Sequence, residues 1–201
     1  MASLGPEIRR RYQVRYIPFA EPGQKALLVG VGAESWLEQK LLETKGYQVT
    51  LADVDPRDPS VVELDLTRPP PEMHGCFDLV VASDVLEHIP DDRLACRGIF
   101  SLLKAGGLAF VHVPGGDSTA PLNDIDRQHG HVRHGYTEQQ IKQVIETVEW
   151  SSMRYLKTFN LIERTACQIF QRGSRDVAEK LLEDSPMDGR EGNSHLFLLR
   201  K

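Results

Sequence analysis

The chain has 201 residues, of which 40% are hydrophobic and 26% are charged; this composition excludes disordered and collagen-like proteins and is typical of one globular domain. The net charge of −5 argues against binding to nucleic acid, which depends on neutralising phosphates. Three scattered cysteines without a CxxC pair disfavour a disulfide scaffold or a zinc ribbon and predict a reducing, cytoplasmic location. No apolar run approaches the length of a membrane span, so no membrane partner is expected.

Apolar runs and amphipathic segments alternate along the chain. Strands are predicted at 25–30, 49–52, 61–64, 77–83, 108–113, 152–159 and 195–200. Helices are predicted at 36–45, 91–104, 141–148 and 161–171, and a glycine pair at 106–107 is expected to end the second of them. This alternation predicts an α/β fold with a doubly wound, mostly parallel sheet and helices on both faces. Residues 1–24 are predicted to form an N-terminal lid or helical segment, and residues 25–201 the main domain.

The ends of the first two predicted strands carry residues suited to a nucleotide-like ligand. Gly30 and Gly32 follow the first strand and precede a helix, where a tight turn and free N–H groups favour an anionic group. Asp53 ends the second strand, about 20 residues further on, where a carboxylate can bind ribose hydroxyls. Sheets of this class bind ligands at such strand ends. NAD and S-adenosylmethionine both fit this pattern, and the alternative is an ordinary turn with a surface acid.

Three further segments distinguish between these cofactors. Asp65 follows the third strand, the segment Ser83-Asp-Val-Leu-Glu-His88 follows the fourth, and Gly106-Gly107 precedes the fifth. With the glycine turn, they resemble the class I S-adenosylmethionine-dependent methyltransferases of the type 11 and type 23 methyltransferase-domain group, over about residues 25–148. The resemblance implies a Rossmann-like sheet of seven strands with an antiparallel last strand. It also implies S-adenosyl-L-methionine as the cofactor.

The resemblance further implies which residues bind the cofactor. Gly30 and Gly32 would face its methionine part, Asp53 its ribose hydroxyls, Asp65 and Leu66 its adenine, and the backbone of Ser83 its amine. The chain departs from the family pattern at two positions: Leu28 replaces an acid, and Glu34 replaces a third glycine. Glu34 either pairs with the cofactor's ammonium group or repels its carboxylate.

The polar segment 117–135 has no clear period and is predicted to be a functional loop. It carries three histidines and two arginines: Arg127, His129, His131, Arg133 and His134. This fold usually builds its acceptor site there, so His131 or His134 is a candidate general base, and the arginines could bind a phosphate or carboxylate. His88 is a further candidate base, with a structural role as its alternative. The histidine spacing also raises a metal site, but no nearby cysteine or acid supports it, so no metal ligand is predicted.

These observations predict a methyltransferase that O-methylates a small-molecule or glycan-like acceptor. The apolar stripe at 161–170 is either core or the contact of a homodimer. One rival is a methyltransferase-like binding module that has lost catalysis, which Leu28 and Glu34 favour. Another is an NAD-linked oxidoreductase, against which Asp65 and the segment 83–88 count.

Overall fold

The computed structural model describes residues 4–32 and 35–201, and within them it shows one seven-stranded sheet. The strands are β1 (Lys25–Val29), β2 (Gln48–Asp53), β3 (Val62–Glu63), β4 (Phe77–Ser83), β5 (Leu103–Val113), β6 (Ser152–Thr158) and β7 (Ser194–Arg200). They lie in the order β3-β2-β1-β4-β5-β7-β6. The first five strands pair in parallel, whereas β7 runs antiparallel to both β5 and β6. The predicted fold class is therefore confirmed.

Helices cover both faces of the sheet. They are α1 (Gly5–Tyr16), α2 (Ser35–Thr44), α3 (Asp92–Leu102), α4 (Asp124–His129), α5 (Glu138–Ile145), α6 (Leu161–Gln171) and α7 (Arg175–Glu183). Short 3₁₀ turns span Pro71–Met73 and Leu86–His88. The capping box predicted at Thr137 and Gln140 is present at the start of α5. None of the helices in the described part of the chain is long and apolar enough to cross a membrane.

Successive residues of β1 and β4 point alternately into two hydrophobic cores. Both strands are therefore apolar at almost every position, as expected for parallel strands covered on both faces. Helices α3 and α5 enter one core through Ile99 and Ile141, and α1 and α2 enter the other through Ile8 and Leu42. Ile8 is fully buried, so α1 is packed into the second core. The boundary after residue 24 stays a prediction.

Two local predictions were wrong, and one helix was not predicted. The segment 117–135 contains a helix, α4, which begins at a capping box in which Asn123 and Asp126 bond to each other's backbone at 2.9 Å. The predicted helix at 91–104 ends at Leu102 because β5 begins at the next residue, so Gly106 and Gly107 lie inside a strand. Helix α7 was not predicted.

Candidate active site

A cavity of about 540 Å³ opens at the carboxyl ends of β1, β2 and β4. The strand order reverses between β1 and β4, which is the usual place for a ligand in an open α/β sheet. Five of the predicted cofactor-binding residues line the cavity: Gly30, Gly32, Asp53, Asp65 and Leu66. Ser83 does not line it, and Glu34 lies outside the described residues.

The turn after β1 requires glycine at its first position. Gly30 has a φ of +74°, and its N–H donates to the Ala52 carbonyl at 3.0 Å. A Cβ atom on Gly30 would stand 2.6 Å from Cγ2 of Val85. Only glycine accepts both the left-handed backbone and this close approach. Gly32 differs, because its φ is not in the left-handed region and its N–H donates to Ser35 Oγ at 2.8 Å.

Two carboxylates stand at neighbouring strand ends beside the cavity. One oxygen of Asp53 accepts from the Asp55 N–H at 3.0 Å. One oxygen of Asp65 accepts from the N–H and the hydroxyl of Thr67 at 2.8 and 2.7 Å. These two bonds hold the pKa of Asp65 below its usual range. Neither second oxygen has a hydrogen-bond partner among the described residues, so each is available to a ligand.

Ser83, the last residue of β4, contacts the first helix. Its Oγ accepts from Gln13 Nε2 at 3.2 Å, and the same amide donates to Glu38 Oε1 at 2.6 Å. Gln13 is buried, so these bonds tie α1 and α2 to the end of the strand. The predicted role of the Ser83 backbone toward the cofactor amine stays a prediction.

Asp84, the residue after Ser83, lines the cavity at the centre of a charged network. Its carboxylate lies 2.7 Å from Nη1 of Arg9 and 2.6 Å from Nδ1 of His112, and His112 Nε2 lies 2.8 Å from the Thr158 hydroxyl. Burial alone would raise the pKa of Asp84, but His112 and Arg9 hold it below its usual range. Its φ of +54° is uncommon for a residue other than glycine, and such strain concentrates at functional sites.

Two of the predicted histidines meet beside the same cavity. His88, on the turn after β4, lines the cavity, and its Nδ1 lies 3.2 Å from the Gly130 carbonyl oxygen. The rings of His88 and His131 contact edge to face, with centroids 4.6 Å apart. Glu87 adjoins both and is buried; burial and the nearby Asp84 raise its pKa well above its usual range. Burial and the neighbouring His88 lower the pKa of His131.

Arg133 holds the turn after β4 against the polar segment. Its Nη1 donates to the carbonyl oxygens of Leu86 and Ile89 at 2.6 and 2.8 Å, and its Nη2 donates to that of Pro90 at 2.9 Å. The guanidinium is therefore already bonded to backbone. Its interactions are those of a structural clamp around His88.

His134 and Arg127 of the same segment contact acidic residues of α4. His134 Nδ1 lies 2.7 Å from Asp126 Oδ2, the same carboxylate that caps the helix. Arg127 makes an exposed ion pair with Asp124 at 3.0 Å. His129 lines a second cavity, of about 830 Å³, beside the first. Among the three histidines of this segment, His131 alone contacts His88.

Comparison with known proteins identifies the family. Residues 7–168 match a family model described as a methyltransferase domain. The chain belongs to this methyltransferase-domain family. The match includes the strands β1, β2 and β4, at whose carboxyl ends the cavity opens.

The curated relatives of this methyltransferase-domain chain match a shorter stretch of it than the family model does. A ubiquinone biosynthesis O-methyltransferase from Xanthomonas campestris pv. campestris is 33% identical over 109 residues, which are 46% of this chain and 44% of that protein. The chain thus matches less than half the length of this curated relative.

Two solved structures share the fold at low identity. A SAM-dependent methyltransferase from Archaeoglobus fulgidus has a TM-score of 0.64 at 17% identity, covering 97% of this chain and 94% of its own. Phosphoethanolamine N-methyltransferase 2 from Haemonchus contortus, solved with phosphomonomethylethanolamine and S-adenosylhomocysteine, has a TM-score of 0.64 at 18% identity. It covers 100% of this chain and 54% of its own. At these identities the likeness concerns the fold alone.

Proposed function

We propose that this protein transfers the methyl group of S-adenosylmethionine to an oxygen of a small-molecule or glycan-like acceptor. The observation that carries the proposal is the cavity between β1, β2 and β4, with a left-handed glycine at one strand end and the carboxylates of Asp53 and Asp65 at two others. The name of the curated relative, an O-methyltransferase, supports oxygen as the acceptor atom.

The cavity fits the cofactor in size and in chemistry. Its volume of about 540 Å³ lies within the range of about 300–1,000 Å³ typical of ligand pockets. Asp53 has a second oxygen available for the ribose hydroxyls, Asp65 has one for the adenine amine, and buried Leu66 supplies an apolar wall. When bound, the cofactor supplies a methyl group that is already electrophilic.

The protein has to orient the acceptor and accept its proton, and orientation is the largest expected contribution. The Gly130 carbonyl can only accept a hydrogen bond, so its contact with His88 Nδ1 places the proton of the neutral ring on that nitrogen. His88 Nε2 then carries a lone pair at the edge of the cavity. This nitrogen can accept a proton from an acceptor hydroxyl directly, or it can bind a metal ion that lowers the pKa of the hydroxyl.

Calorimetric titration with S-adenosylhomocysteine tests the cofactor site. Asp53→Asn should weaken binding roughly tenfold or more, because hydrogen bonds to a charged group contribute about 1.5–3 kcal/mol. Asp65→Asn should weaken it less, because its proposed partner is a single amine group, whereas Asp53 would bind two ribose hydroxyls. Asp58 is a matched control: it bonds to Ser60, at 2.8 and 2.7 Å, as Asp65 does to Thr67, and it lines the second cavity but not the first. Asp58→Asn should leave the affinity unchanged.

Two results would overturn the cofactor assignment. The first is a wild-type protein that does not bind S-adenosylhomocysteine. The second is an Asp53→Asn variant that binds it as tightly as the wild type does. Greater damage from Asp65→Asn than from Asp53→Asn would instead show that the two strand ends have been assigned to the wrong parts of the cofactor.

Transfer of a labelled methyl group to a panel of phenols and sugars tests the reaction. His88→Ala should lower turnover by roughly 10²-fold with little effect on cofactor affinity. His74→Ala, on the surface turn that follows Pro71–Met73, is the control and should match the wild type. Tight cofactor binding without transfer to any acceptor would favour the rival binding module.

Location and assembly are part of the same proposal. We expect a cytoplasmic protein without nucleic-acid or membrane partners. The apolar stripe of α6 packs into the second core at Ala166, whereas Leu161 at its start is 67% exposed. A homodimer would use that exposed end.

A further inference from the structure

We propose that Glu87, His88 and His131 bind a divalent transition-metal ion, with Zn²⁺ as the reference ion, at the edge of the cofactor cavity. One carboxylate and two imidazoles form a ligand set that suits zinc and its first-row neighbours better than magnesium or calcium. The role of the ion in catalysis rests on the proposed function, because the acceptor would meet the ion beside the bound cofactor.

The three side chains are close enough to share one ion. One donor atom from each lies within 4.8 Å of the others, and they are the group with this property among the described residues. Around zinc, with bonds of about 2.0–2.2 Å, neighbouring donors stand roughly 3.3–3.6 Å apart. Closing the group onto an ion therefore needs movements of about 1 Å, which rotation of the side chains can supply.

The second observation is that one polar atom of the group is buried without a partner. Glu87 is 1% exposed, and no described residue donates a hydrogen bond to its Oε2. Orphaned buried polar atoms are rare because their desolvation is costly. A cation at this position would satisfy the carboxylate.

The surroundings orient the ligands as in known metal sites. Ligating histidines usually direct their second nitrogen at a carbonyl or a carboxylate. His88 Nδ1 meets the Gly130 carbonyl, and Asp126 Oδ1 lies 3.6 Å from His131 Nδ1. The backbone joins the two segments directly, because the Val132 N–H donates to the Glu87 carbonyl at 3.0 Å. This bond keeps the segment that carries Glu87 and His88 next to the segment that carries His131.

Three protein ligands leave one coordination position open, the pattern of catalytic zinc sites. An ion there acts as a Lewis acid on an acceptor oxygen and lowers the pKa of its hydroxyl. The O–H bond breaks, the proton passes to solvent water, and the oxygen keeps the electron pair that forms the bond to the methyl carbon. The electron pair of the broken carbon–sulfur bond stays on sulfur. The acceptor class is therefore a hydroxylated molecule that can ligate a metal, such as a phenol or an enol.

Metal titration of the chelator-treated full chain tests the site without any acceptor. Zn²⁺ is followed by calorimetry and Co²⁺ by its visible absorption, which reports coordination. We expect one strong site per chain. His88→Ala and His131→Ala should each weaken binding at least tenfold, as should Glu87→Gln, which keeps the shape of the buried side chain. His74→Ala should bind like the wild type.

Titration of the same samples with S-adenosylhomocysteine separates the two proposals. If the wild type binds S-adenosylhomocysteine but no Zn²⁺, or if all three variants bind Zn²⁺ like the wild type, the metal site is overturned and the proposed function stands. If the wild type binds one Zn²⁺ that the three variants lose, yet binds no S-adenosylhomocysteine, the metal site stands and the proposed function fails. Circular dichroism on each variant confirms that the fold is retained.

Discussion

Replacing Gly30 by alanine tests the turn that opens the cofactor cavity. Its φ of +74° should cost alanine about 1–2 kcal/mol, the usual penalty of the left-handed region. The new Cβ would also stand 2.6 Å from Val85 Cγ2, and overpacking of this kind adds about 1 kcal/mol or more. We expect Gly30→Ala to lower the free energy of unfolding by about 2–3 kcal/mol, a fall in Tm of roughly 4–12 °C.

A second substitution separates the two contributions. The same Cβ would lie 3.7 Å from Val85 Cβ, an ordinary contact, so Val85→Ala removes the clash and leaves the backbone cost. In urea unfolding at 25 °C, Gly30→Ala should therefore cost about 1 kcal/mol less in the Val85→Ala background than in the wild type. Gly32→Ala is the matched control: its Cβ meets no described atom within 4 Å, and its effect should stay within about 0.5 kcal/mol. Equal costs in both backgrounds would contradict the clash, and a Gly30→Ala variant as stable as the wild type would refute the whole reasoning.

A crowded helix glycine and a doubly paired surface carboxylate give two more predictions. A Cβ on Gly98 of α3 would overlap the Leu66 carbonyl oxygen. Gly98→Ala should therefore lower the free energy of unfolding by about 2–3 kcal/mol and weaken S-adenosylhomocysteine binding. Wild-type values of both quantities would contradict this close contact between α3 and Leu66. Hydrogen bonds from Lys142 and Lys157 lower the pKa of Glu138 to about 2, so its stabilising contribution is present above its unfolded pKa and is lost as the pH falls toward about 2. The free energies of unfolding of the wild type and Glu138→Gln should differ by less than about 1 kcal/mol, because the ion pairs are exposed. In urea unfolding, this difference should shrink between pH 6 and pH 3. A difference that stays constant would contradict the prediction.

The elements that follow from local patterns were predictable. The buried strands β1 and β4 are continuous apolar runs. Gly30 after β1, Asp53 at the end of β2 and Asp65 after β3 were singled out from the sequence, and all three line the cavity. Helix α4 was missed because Ile125 is the one apolar residue among its six, and a single apolar residue gives no period. Its signal was present all the same, since Asn123 and Asp126 have the spacing of a capping box.

The contacts among the charged residues beside the cavity were not predictable. Nothing in the sequence distinguishes Glu87 from a surface acid. The folded structure buries it next to His88 and His131. Likewise, no pattern joins Arg9 and His112 to Asp84, because the three residues come from distant parts of the chain and meet only after α1, β4 and β5 have packed.

The position of β7 has a consequence for the order in which the sheet can be completed. It lies between β5 and β6, yet it follows both in the sequence. While the chain is being synthesised, the outer edge of β5 and the whole of β6 lack their native partner strand until residues 194–200 have left the ribosome. Unpaired strand edges are templates for aggregation. A nascent chain that stalls before residue 194 exposes the edge of β5 and both edges of β6 at once, so loss of only this short segment would do more harm to solubility than its length suggests.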